Sequence, residues 1–76
     1  MNNNYVFIKP TDVVSPQSGA LVHPKIEPVT DNWGKTTTNA KWVDPYSGVI
    51  FKQGVVSVKE KDGTLYDINN PNGKRN

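Results

Sequence analysis

His23 is the single histidine of the chain, and there is no cysteine. Those two counts limit nucleophilic and metal chemistry at once. A Cys–His pair cannot form, and the thiolate and multi-imidazole sets that hold zinc lack their ligands. A Ser-His-Asp arrangement would have to be gathered from scattered residues, because no nucleophile motif lies near His23-Pro24. Asp12, Asp31, Asp44 and Asp62 all fall where turns favour Asp, which argues against paired-carboxylate catalysis. Gly34-Lys35-Thr36 has the ending of a phosphate-binding loop. Its first glycine would have to stand where Val29 is, and no helical pattern follows. The expectation is a non-enzyme with no catalytic residue, no cofactor and no metal.

Residues that bind rather than react are better represented. Tyr5, Trp33, Trp42 and Tyr46 are large for a chain with 34% hydrophobic residues, and aromatics supply both cores and interface anchors. Trp42 lies in a strand pattern and is assigned to the core. Trp33 lies in a polar loop, where core and interface readings balance. Trp33, Tyr5 and Tyr46 are therefore the candidate interface residues, joined by the basic tail residues Lys74 and Arg75. The net charge of +2 comes wholly from the second half, since residues 1–38 carry three Lys against two Asp and one Glu. Such a mild excess disfavours nucleic acid as the main partner, and a two-residue basic tail reads first as a solvated end. The competing binding reading is a small β-barrel that stacks single-stranded bases on Tyr5, Phe7, Trp33 or Trp42.

These side chains must be positioned by a single small domain of 76 residues. Domains this size bury a modest core and are commonly reinforced by disulfides, a metal or association. Without cysteines, and with one histidine, association is the expected reinforcement. Met1-Asn2-Asn3-Asn4 has no basic or apolar signal-peptide region. No apolar run approaches the roughly 20 residues of a membrane helix, so neither secretion nor a membrane is expected.

Six prolines and six glycines are spread along the chain and leave no window for a long amphipathic helix. The expected fold is all-β: a small sheet or open barrel of short strands and hairpins with extended polar ends (1–4 and 69–76). Candidate strands are Asn4 to Lys9, Ala20 to Val22, Lys25 to Val29, Lys41 to Val43, Val49 to Lys52 and the hairpin Val55 to Ile68. Pro24 and Pro28 confine the second and third of these to a sheet edge or to irregular paths. Thr30 to Asn39 reads as a loop. In the hairpin, Lys61-Asp62-Gly63 with Gly63 left-handed predicts a type I turn plus bulge. That register pairs Glu60 with Thr64, Val58 with Tyr66 and Val56 with Ile68.

One motif occurs twice. Val14-Ser15-Pro16-Gln17-Ser18-Gly19-Ala20 aligns with Val43-Asp44-Pro45-Tyr46-Ser47-Gly48-Val49 at an offset of 29 residues, and Gly34 falls on Gly63 at that offset. Ser15 or Asp44 can accept from the backbone two residues on, Pro16 or Pro45 presets φ, and Gly19 or Gly48 opens into the next strand. Pro16, Ser18, Gly19, Pro45, Ser47, Gly48 and Gly63 are thus turn-forming residues. Repeat units would span 13–35 and 42–64. Two unrelated turns of one type and a duplicated unit packed around one core would both produce this pattern.

The first half also resembles a known family. Val6-Phe7-Ile8-Lys9-Pro10, the Val14 to Gly19 turn, Leu21, Pro24, Val29 and Asn32-Trp33 occur in the same order in short proteins encoded near the tail-sheath gene of Mu-like contractile-tailed phages. The match covers residues 5–33. Basic residues usually follow the family's Trp, whereas threonines follow Gly34-Lys35 here, and the Asp44 to Gly48 turn has no counterpart. The resemblance implies a structural or assembly component of a virion, in the tail, neck or capsid. It would touch other virion proteins in many copies. A phage-encoded inhibitor of a host protein is the third reading.

Overall fold

A computed structural model of the protein describes residues 6–73, and every regular element among them is a strand. β1 (Val13–Val14) and β2 (Leu21–Val22) form a small hairpin, and β3 (Lys25–Thr30), β4 (Thr36–Val43), β5 (Ile50–Lys59) and β6 (Leu65–Asp67) follow. β1 pairs with β2 in one sheet, and the other four form an antiparallel meander in the order β3-β4-β5-β6. The sheet is open rather than closed into a barrel.

The core lies where the β1–β2 hairpin and the N-terminal segment cover β4 and β5. Val22, Ala40 and Trp42 are buried there, with Ile8, Val13, Phe51 and Val56 packed against them. Trp42 is fully buried and its indole Nε1 donates to Thr11 O at 2.8 Å. Burial of one such aromatic contributes about 4–6 kcal/mol, a large share for so small a domain. Gly54 is the close-approach point, since a Cβ there would stand 2.6 Å from Ile8 Cγ2.

The β5–β6 hairpin has the expected register, with Val58 opposite Tyr66 and Glu60 N donating to Thr64 O at 2.8 Å. Gly63 has φ 93°, as the bulge requires. The ladder stops at Asp67, so the expected Val56–Ile68 pair is absent and Ile68 is exposed.

Three other expectations are corrected. The Asn4 to Lys9 run is no strand where it is described: Phe7 makes one parallel bridge to Val55, and Ile8 N donates to Val55 O at 2.8 Å. Thr30 to Asn39 is not a loop, because Thr36 begins β4, a central strand of eight residues. Only Asp31 to Lys35 turns. Threonines 36–38 lack the apolar alternation that marks a strand, yet β-branched side chains suit a half-buried central position. Asp12 does not make a turn; its Oδ1 lies 2.7 Å from His23 Nδ1 at the base of the β1–β2 hairpin.

Both outer edges of the large sheet are closed to further pairing. Asp31 N donates to Lys35 O, so by alternation Pro28 turns its missing donor outward on β3. On β6, Asn70 exchanges two backbone bonds with Asp67, and its Nδ2 donates to Leu65 O at 3.0 Å. These contacts occupy the outward groups that an added strand would need.

Candidate functional site

The two copies of the repeated motif meet at one end of the molecule. In the first turn, Ser15 N donates to Ala20 O and Gly19 N to Ser15 O. In the second, Asp44 N donates to Val49 O and Gly48 N to Asp44 O. Gly19 and Gly48 have φ of 77° and 76°, the left-handed conformation that lets each chain leave a single helical turn as a strand. Ala20 N donates to Ser18 Oγ, and Val49 N donates to Ser47 Oγ, both at 3.3 Å. The loops Asp31–Lys35 and Glu60–Thr64 also share one bonding pattern, again at the 29-residue offset. The equivalence therefore holds in backbone hydrogen bonds across both units.

What joins the turns is the one chemical difference at their first position. Asp44 Oδ1 accepts from Tyr46 N and Ser47 N, both at 2.9 Å, and so caps its own turn. Asp44 Oδ2 accepts from Ser15 Oγ at 2.5 Å and Ser18 Oγ at 2.6 Å. Ser15 caps its own turn as well, accepting from Gln17 N at 3.2 Å. Its hydroxyl still has a proton to give, which a second carboxylate would not. Ser47 Oγ adds a bond to Gln17 Oε1 at 2.7 Å.

Ser15 and Asp44 are each 1% exposed, so the lock is shut off from water. The Ser15 hydroxyl, then the Ser18 hydroxyl and the backbone donors of Ser47 and Tyr46, hold the Asp44 carboxyl well below the usual range, against the opposing effect of burial. Asp44 thus stays ionised without a cation beside it. Its oxygens are saturated by its own turn and by the opposite one, so it has no vacant lone pair with which to serve as a base.

Other chemistry is sparse. The His23–Asp12 pair is exposed, and no group of three His, Asp or Glu side chains among the described residues could hold a metal. On the sheet, Lys41 Nζ sits 2.9 Å from Glu27 Oε1 and lowers the Glu27 pKa. This pair flanks an open groove of about 390 Å³ that also involves Asn39, Gln53 and Val55.

Of the candidate interface residues, Trp33 is 77% exposed and Tyr46 is 83% exposed. They stand at opposite ends of β4, roughly 25 Å apart along the strand, and do not form one patch. Tyr5, Lys74 and Arg75 lie outside the described residues. Trp42 is buried and unavailable as a stacking platform for bases. All seven turn-forming residues lie in or beside the turns expected of them. The Ser15–Asp44 lock went unread in the sequence, although its signal was present: equivalent positions of a repeat occupied by a donor and an acceptor.

No family model matches the chain, and neither a curated protein nor a solved structure shows significant similarity to it.

Proposed function

We propose that the protein is a non-enzymatic structural or assembly component of a phage-like particle, in the tail, neck or capsid. It acts through contacts with other virion proteins, present in many copies. The observation that carries the contact role is where apolar surface lies. Val14 and Leu21 are cross-strand neighbours on the outer side of the β1–β2 hairpin, and both are more than half exposed. Ile50, opposite Val43 at the equivalent place in the second unit, is exposed too, beside Val49. Against these, only Val22, Ala40, Trp42 and Val58 form the buried hydrophobic set among the described residues.

The shape supports the same reading. A radius of gyration of 14.2 Å exceeds the roughly 11 Å of a compact domain of this length. Polar side chains that could have furnished a reactive site are spent on joining the turns. The phage assignment rests on the resemblance of residues 5–33. Quantitative mass spectrometry of sedimented particles, from an induced culture expressing the chain, tests it. Recovery in the particle band at a constant multi-copy ratio is expected. Recovery only in the unsedimented fraction overturns the assignment.

A further inference from the structure

One motif adopts two paths in this molecule. In the second unit, residues 50–59 run as the single strand β5. In the first unit the equivalent residues 21–30 are broken at His23-Pro24 into β2 and β3. The break turns the β1–β2 hairpin out of the large sheet and lays it on β4 and β5. There Val13 and Val22 meet the cluster around Trp42 and Phe51, their own equivalents at the 29-residue offset.

We propose that the N-terminal arm, residues 6–22, also docks on the same surface of a second copy of this chain, by straightening at His23-Pro24. The arm and the large sheet share no strand ladder apart from the bridge at Phe7. Their other attachments are the packing around Trp42, the Trp42–Thr11 bond and the turn lock. Each can form between two chains as readily as within one, so the closed and exchanged forms differ only at the hinge. The straight path is compatible with the hinge residues. Proline suits an extended backbone, and the residue before it is driven to one. By the alternation that turns Pro28 outward, Pro24 faces outward as well, so straightening forfeits no bond to β4.

An opened arm cannot remain undocked, because it would leave Trp42 and Ala40 in water. A second copy supplies the fitting cover. The closed edges of β3 and β6 make strand addition the poorer route to self-association. This inference concerns the chain alone and does not depend on the particle assignment.

The absence of cysteine provides a clean test. Gln17 and Ser47 are exposed and touch across the lock, so Gln17→Cys and Ser47→Cys are made as separate single variants. The two are mixed, unfolded, refolded together at high concentration and treated with a short bismaleimide. A product of twice the chain mass that needs both variants is expected, while either variant alone gives none. Sedimentation of the unmodified chain should show a dimer that dissociates on long dilution. A monomer at all concentrations overturns the proposal, as does a dimer without the mixed cross-link. Pro24→Gln, which installs the residue found at position 53, should raise the dimer fraction several-fold. No rise would also count against the hinge.

Discussion

Residues 13–35 and 42–64 share their turns, their glycines and their backbone bonds, yet they end in different places. The second unit lies flat, with β5 continuous from Ile50 to Lys59 in the centre of the sheet. The first is folded at Pro24, and its hairpin becomes the cover of the core. One turn presents a hydroxyl and the other a carboxylate, and that difference lets them bind each other. A repeat of identical units would have placed two hydroxyls or two carboxylates at the contact. Small departures from the repeat thus produce the asymmetry on which the core depends.

The comparison can be broken most severely at Trp42, whose equivalent in the first unit is the smaller Val13. Trp42→Ala should cost about 3–5 kcal/mol. A domain this size has a stability of about 4–11 kcal/mol, so the circular-dichroism melt should be lost or strongly depressed. Val13→Ala should leave a cooperative melt.

Ser15→Asp makes the two turns alike and brings two carboxylates together out of water. A loss of about 3–5 kcal/mol is expected at neutral pH, as for an uncompensated buried charge. Exchanging the residues, Ser15→Asp with Asp44→Ser, should recover much of that loss in urea unfolding. The pH dependence has a definite sign. Asp44 is depressed in the folded state, so its contribution is present above the usual carboxylate pKa of about 4. It is lost as pH falls below that value toward the folded one. The unmodified protein should therefore lose stability below about pH 4. The Ser15→Asp variant should close part of its gap to the unmodified protein as pH falls, because a protonated carboxyl can donate to its neighbour.

The equivalence of the turns is sharpened by Gly19→Ala and Gly48→Ala. Neither site would place a Cβ against another atom, so only the left-handed backbone is tested. Each should cost about 1–2 kcal/mol, and the two losses should agree closely. The smallest effect is expected at the hairpin tips. Trp33 occupies the position that Asp62 holds in the second unit. Asp62 Oδ1 accepts from Thr64 N, whereas the cap of the first tip comes from Asp31, whose Oδ1 accepts from Trp33 N and Lys35 N. Trp33→Ala should therefore change stability by no more than about 0.5 kcal/mol, measured by thermal melt.

Much of the local structure was legible in the residues. Asp62-Gly63 set the β5–β6 register, because only one pairing keeps Val58 and Tyr66 on one face. The Pro-x-Ser-Gly motifs marked both locking turns, since their φ requirements and short-range bonds belong to the motif itself. β4 was not legible at its start. Thr36 to Asn39 carry no apolar alternation, and strands on both sides secure their place. The candidate site was half legible: every turn residue was visible, but not the contact between the turns.

The sequence alone determined where the chain turns, that it forms strands and that Cys- and multi-His-based chemistry is missing, because those follow from residue type and near neighbours. The tertiary structure decided that Ser15 meets Asp44, that Trp42 lies beneath the first hairpin, and that one copy of the repeat folds over while the other runs straight. Those outcomes depend on side chains 29 or more residues apart and on burying one small apolar surface, which no local preference encodes.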